Sequence, residues 1–498
     1  MQLLPGARFR LLIGQEAAKA DSYSAFSHCW GKAKTIKLTQ HSLADLSAGC
    51  LVEDLPTSYK EAIKASMALG IEHIWIDSLC ILQESVTDWR HEAARMSDIY
   101  GNATLTICAS AAAENSQSSF ATRDLSLIPP VQVAAQWNEA EPIVTEAYFL
   151  VNEQSYETDV VQSPLASRAW AAQESYLATR KLCLTERQLW WVCKHVFACE
   201  AYPGGFPPSM HTYSTHNSPK WDPATWCDLV GQYSDCALTV PTDKLVAFSG
   251  FARDRLERLQ TGKKYVAGLW QEELPLALCW RTSETSPAHR PDVYIAPSWS
   301  WASIDGNVSF SDVVARRRED AMVEELCSVS NCFLQLVDSA FPTGPLETGS
   351  IDIHGHIIGP VSMEPPDNAL EFFINMQGQR INLLEKTNWD YDEKTEARDD
   401  MISYLDLPHI KSTPVQDWTA AMRKSSPDLQ SEGLQLFCLP IWATVAEDGE
   451  RWGGGLLLCH KPSQPDSIYH RVGSFRFDDN SMDTALLSSI PQRTITLL

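Results

Sequence analysis

Three side chains in the first eighty residues have the types that nucleophilic chemistry needs. His28 closes the apolar run "YSAFSHCWG" (Tyr23–Gly31), while Asp77 and Cys80 close the run "IWIDSLC" (Ile74–Cys80). A thiolate attacks an activated carbonyl, an imidazole takes the thiol proton, and a carboxylate holds the imidazole and steadies its charged form. That apparatus suits acyl transfer, thioester cleavage or ring closure on a small molecule. Amides at the helix after Cys80 are expected to hold the oxyanion. Trp30 is read as packing or as a wall of the crevice, and Gly31 as a tight turn. A second cluster lies in "RAWAAQE". Arg168 sits at a helix start and Glu174 on a later turn, with Trp170 and Gln173 between them. Six residues apart, Arg168 and Glu174 do not stack on one helix face, but both can point into one crevice. Each of these residues also has a plain alternative as part of a core or a solvated helix face, since cysteine is among the most buried residue types.

Strand ends are the natural place for such groups. From Arg8 to about Pro203 short apolar runs alternate with amphipathic ones. "YSAFSH", "IEHIWID" and "TLTICAS" read as strands. "LPTSYKEAIKASMALG" reads as a helix started by Pro56 and stopped by Gly70, with Ala62, Ile63, Ser66, Met67 and Leu69 as its repeat. "DWRHEAARMSDIYGNA" reads as a second helix, capped by Asp88 and stopped at Gly101-Asn102. "SRAWAAQESYLATR" is a further helix, and "KLCLT" and "QLWWVC" further strands. The β-α-β-α-β order implies an α/β fold with a mostly parallel sheet flanked by helices, whose ligands bind beyond the carboxyl ends of the strands. If the first two strands are neighbours, His28, Asp77 and Cys80 meet at one rim.

The expected organisation has an α/β unit over 8–205, a mixed region over 206–310 and a β-rich part over 311–498. The mixed region holds the helical stretches "WCDLVGQYSDCAL" and "DKLVAFSGFARDRLERL". The last part holds the strands "SIDIHGHI", "LQLFCLPIWATV", "GGGLLLCH" and "HRVGSFRFD", with loops at 385–400 and 424–433.

Composition narrows the partners. The 498 residues carry Lys+Arg 40 against Asp+Glu 63, a net charge of −23, which repels phosphate backbones and anionic headgroups. Nucleic acid and membrane are therefore not expected as partners; a small-molecule substrate is expected from the site chemistry, with a protein partner as the further option. No signal peptide or apolar span is legible, and the 14 cysteines read as free thiols of a cytoplasmic protein. The nearest approach to a metal cluster, Cys193, His195, Cys199 and Glu200 in "CKHVFACE", fits no common zinc spacing, and no cofactor is expected.

With these residues in hand, the sequence resembles the heterokaryon incompatibility (HET) domain family of filamentous fungi. "YSAFSHCWG" looks like its first signature, the stretch from "LPTSYKEA" through "TLTICAS" its long second one, and "RAWAAQESYLATRKL" with "LWWVC" its third. "LTVPTDKLVAFSGFA", "YVAGLW" and "YIAPSWSWASIDG" resemble the region downstream, so the likeness covers roughly residues 8 to 310. In the third signature Ala169 stands where glycine is usual, while Arg168, Trp170, Gln173 and Glu174 are kept. The resemblance implies a role in non-self recognition and regulated cell death after hyphal fusion, and a core likened to TIR domains. It brings two readings beside the cysteine enzyme. One is a TIR-like nucleotide enzyme or death effector with Glu174 or Glu84 as its working carboxylate. The other is a non-enzymatic interaction module.

Overall fold

A computed structural model describes residues 1–32, 36–123, 131–133, 148–150, 152, 154–206, 223–259, 262–282, 289–310, 323–364, 373–376, 379–382, 435–445, 451–478 and 484–498. They divide into two compact units. The first comprises Met1–Pro219 with the short stretches Cys236–Leu238 and Arg253–Arg255, and the second comprises the rest.

In chain order the first unit contains β1 (Gln2–Leu4), β2 (Arg8–Arg10), β3 (Ser24–Ser27), α1 (Leu43–Ala48), β4 (Cys50–Leu51) and α2 (Thr57–Ala68). There follow β5 (Ile74–Trp75), α3 (Asp77–Cys80), α4 (Val86–Asn102), β6 (Leu105–Cys108), and the hairpin β7 (Val131–Val133) and β8 (Tyr148–Leu150). It closes with α5 (Ala169–Leu177), β9 (Arg180–Leu184), β10 (Leu189–Cys193) and β11 (Phe197–Cys199). The main sheet has the order β11-β10-β9-β6-β3-β5. Strands β5, β3, β6 and β9 run parallel, and β10 and β11 return antiparallel at one edge.

Side-chain periodicity decides what covers each face. Along β3 and into the residue after it, Phe26 and His28 point to one face and Ala25 and Ser27 to the other, as alternation in extended chain requires. Helix α2 covers the first face with Tyr59, Ala62, Ile63 and Ser66, a stripe at helical spacing. Met67 and Leu69, expected within that stripe, are 50% and 53% exposed, because the buried face turns away from them in the last turn. Gly70 ends the helix with a φ of 73°, a left-handed conformation that costs glycine little. Helix α4 covers the second face with Met96, Ile99 and Tyr100 against Ala25. Each such large apolar side chain contributes about 1.5–3 kcal/mol by leaving water.

Three local expectations are corrected. The cap of α4 is Ser85, whose side chain accepts from the Asp88 amide, while Asp88 accepts from the Leu82 amide and ties down the preceding turn. Gly101 and Asn102 lie inside the helix, which ends at Ala103. The second parallel strand is also short. It ends at Trp75, and from Asp77 the chain turns directly into the single helical turn α3.

The second unit is rich in strand. Helices Pro223–Ser234 and Lys244–Leu259 occupy the two stretches expected to be helical. A ten-stranded sheet takes in Cys327–Leu336, Leu346–His356, Gln435–Val445, Arg451–His460 and Ile468–Asp478, so the four expected strands are all present. The expected loops at 385–400 and 424–433 lie outside the described residues. Among the described residues no helix is long and apolar enough to cross a membrane.

Candidate functional site

The chain leaves β3 for β5 on one side and then crosses to β6 on the other. In an open parallel sheet such a reversal opens a crevice beyond the carboxyl ends of the strands. Here the loops leaving β3 and β6 meet. Gly31 holds a φ of 68°, and a Cβ built on it would stand 2.0 Å from the Glu114 Cβ, so only glycine allows this approach. Asn115 is buried, and its backbone carbonyl accepts from both the amide and the hydroxyl of Ser58 on α2.

Alternation at the end of β3 sends successive side chains to opposite faces of the sheet. His28 stacks on Phe26 with ring centroids 4.7 Å apart and faces α2, where its Nε2 lies 2.9 Å from the Tyr59 hydroxyl. The Tyr59 hydroxyl lies 2.8 Å from that of Ser78 and also bonds the Asn115 side chain. Asp77 Oδ1 stands 3.7 Å from the same Nε2 and accepts from the Ser78 amide. Its other oxygen accepts from the Trp30 indole at 2.8 Å. Trp30 therefore fixes a carboxylate, and Lys37 lies over its ring at 4.8 Å.

Ser27, on the other face, hydrogen-bonds Glu174 of α5, and the buried Tyr100 of α4 bonds the same carboxyl. Arg168, just before α5, donates to the His28 carbonyl and so ties α5 to the end of β3. Burial pushes Glu174 up to about 7. The bonds from Ser27 and Tyr100 and the Arg168 charge oppose that rise, and the Asp77 charge adds to it. Burial lowers His28 from the ordinary imidazole range, against the pull of Asp77 and with the push of Arg168. The rim thus holds a mostly neutral imidazole, a carboxyl that gives or takes a proton near neutrality, a fixed cation, and Asp77 with 20% of its side chain exposed.

Cys80 is placed differently. It ends α3 half-buried, against the core formed by Ile76, Leu79 and their neighbours, and among the described residues no hydrogen bond joins its thiol to His28. In a triad the carboxylate takes one imidazole nitrogen and leaves the other for the nucleophile. Here Tyr59 and Asp77 both address Nε2, and the ring also bonds the Phe26 backbone carbonyl. Of the residues singled out in the sequence, the fold brings together His28, Trp30, Gly31, Asp77, Arg168 and Glu174. Gln173 is buried, Trp170 packs edge-on against Trp89 of α4, and Glu84 is exposed in the turn before α4.

Sequence reasoning missed Ser27, Tyr59, Ser78, Tyr100 and Asn115. Tyr59 and Tyr100 sit at helical core spacing and read as packing. Ser27 sits inside the first signature beside His28 with nothing to single it out, and Asn115 lies outside every motif. The "CKHVFACE" stretch forms the β10–β11 turn, where Cys193 Sγ accepts from the Val196 amide and Glu200 pairs with Arg123. Among the described residues no group of three or more His, Cys, Asp or Glu is arranged to hold a metal ion.

Comparison with known proteins places one part of the chain. Residues 23–174 match the family model described as heterokaryon incompatibility protein (HET), a span that runs from the start of β3 to Glu174 and so contains the whole rim. No curated protein and no solved structure matches the chain.

Proposed function

We propose that this chain, which carries a HET domain over residues 23–174, is an effector of heterokaryon incompatibility whose rim works by acid–base chemistry centred on Glu174, with no covalent cysteine step. The observation that carries the reading is the buried Glu174 carboxyl, hydrogen-bonded to Ser27 at the end of the first parallel strand and to Tyr100, with burial raising it to about 7. Catalytic carboxyls are often strongly shifted in this way. The order of the four parallel strands, with the first between the second and third, is that of a flavodoxin-like doubly wound sheet, which supports the TIR-like reading.

The substrate class that fits this reading is a pyridine nucleotide. The bond between nicotinamide and ribose breaks, and nicotinamide leaves with the electron pair. Water adds to the ribose carbon, and its proton passes to ionised Glu174. Positioned proton transfer of this kind contributes about 10²–10⁴-fold. Incubation of the purified chain with NAD, followed by chromatography, is expected to give steady nicotinamide release that falls by about that factor in Glu174→Gln. Intact NAD after prolonged incubation would leave the non-enzymatic effector in its place.

A further inference from the structure

We infer that Tyr59 is a positioning residue: braced by Ser78 and Asn115, its hydroxyl holds His28 as the neutral Nδ1–H tautomer and competes with Asp77 for the Nε2 atom. The direction of every bond follows from what each group can do. A backbone carbonyl only accepts, so the ring nitrogen that meets the Phe26 carbonyl carries hydrogen. With Nε2 turned to Tyr59 at 2.9 Å, that nitrogen is Nδ1. In the neutral ring Nε2 is then an acceptor, and the Tyr59 hydroxyl must donate to it.

The Tyr59 oxygen is left to accept, and both of its other partners suit that role. The Ser78 hydroxyl, 2.8 Å away, and the Asn115 side-chain amide each have a hydrogen to donate to it. The chain of bonds runs from Asn115 and Ser78 through Tyr59 to His28, and all four residues are buried. Protonation of His28 puts a hydrogen on Nε2, and the favoured partner becomes the Asp77 carboxylate 3.7 Å away. Tyr59 therefore stabilises the neutral ring and Asp77 the charged one, through one atom. The groups that face the ring are Tyr59 from α2, Asp77 from α3 and Arg168 from the start of α5, whose charge acts with Tyr59 against protonation.

This inference deepens the acid–base reading of the rim, but its test reads the imidazole itself and does not depend on any turnover. The full chain, labelled with ¹⁵N-histidine, is titrated by NMR, with the His28 resonance assigned by its absence in His28→Gln. The ¹⁵N shifts of the wild-type chain are expected to show Nδ1 protonated and Nε2 free. In Tyr59→Phe the midpoint of His28 should move upward, because the neutral ring has lost its donor. In Asp77→Asn it should move downward, because the charged ring has lost its partner. An Nε2–H tautomer in the wild-type chain would overturn the inference even if neither variant folds. So would a His28 midpoint that stays fixed or falls in a folded Tyr59→Phe.

Discussion

Replacing Glu174 by Gln is expected to stabilise the first unit at alkaline pH. The carboxyl sits at about 7 in the folded chain against an ordinary value of 4.5, so between those values the folded state binds more protons than the unfolded state. Stability then falls as pH rises through that window, and above it the wild-type chain bears the cost of a buried charge, on the order of 3 kcal/mol. Glutamine has no such titration. It loses part of the bonding to Ser27 and Tyr100, about 1 kcal/mol. Hydrogen exchange of the α5 and β3 amides at pH 5 and pH 8 checks this. Protection in the wild-type chain should weaken between the two values, protection in Glu174→Gln should not, and at pH 8 the variant should be the better protected. Local exchange is the suitable readout because a chain of two units need not unfold in one step.

Arg168→Ala is expected to act in the opposite sense on the same carboxyl. The guanidinium lowers Glu174 by its charge and holds the strand end through the His28 carbonyl. Its loss drives Glu174 further up, and each unit of rise cuts the ionised fraction at pH 7 by up to about tenfold. The pH profile of nicotinamide release should therefore move to higher pH, with activity partly recovered at pH 9. Loss of the charged hydrogen bond should also cost about 1.5–3 kcal/mol. A profile that only scales down, without moving, would assign Arg168 a structural role alone.

These two residues mark how far the sequence could be read. The strand ends were legible because "YSAFSH" and "IWID" break from apolar to polar at one point, and β3 and β5 do lie side by side. Arg168 and Glu174 were legible as one cluster at the start of a helix, though not which partners each would take. The partition of the rim was not. Whether Ser27 or His28 faces α2 depends on which helix covers which face, and that is fixed only when β6 crosses to the far side of β3. The setting of Cys80 was hidden for a related reason. The second strand ends two residues before Asp77, so the one turn of α3 places the thiol against the core. Tyr59 was hidden by its spacing, since a tyrosine in an amphipathic stripe looks the same whether its hydroxyl is idle or bonded to a histidine.

The most direct test sets Glu174→Gln beside Cys80→Ala in a filamentous fungus, with growth arrest on expression as the readout and soluble protein levels matched. An acid–base rim centred on Glu174 predicts that Cys80→Ala arrests growth as the wild-type chain does, while Glu174→Gln, folded and at equal level, does not. Arrest by Glu174→Gln together with its loss in Cys80→Ala would contradict that account and return the chemistry to the thiol.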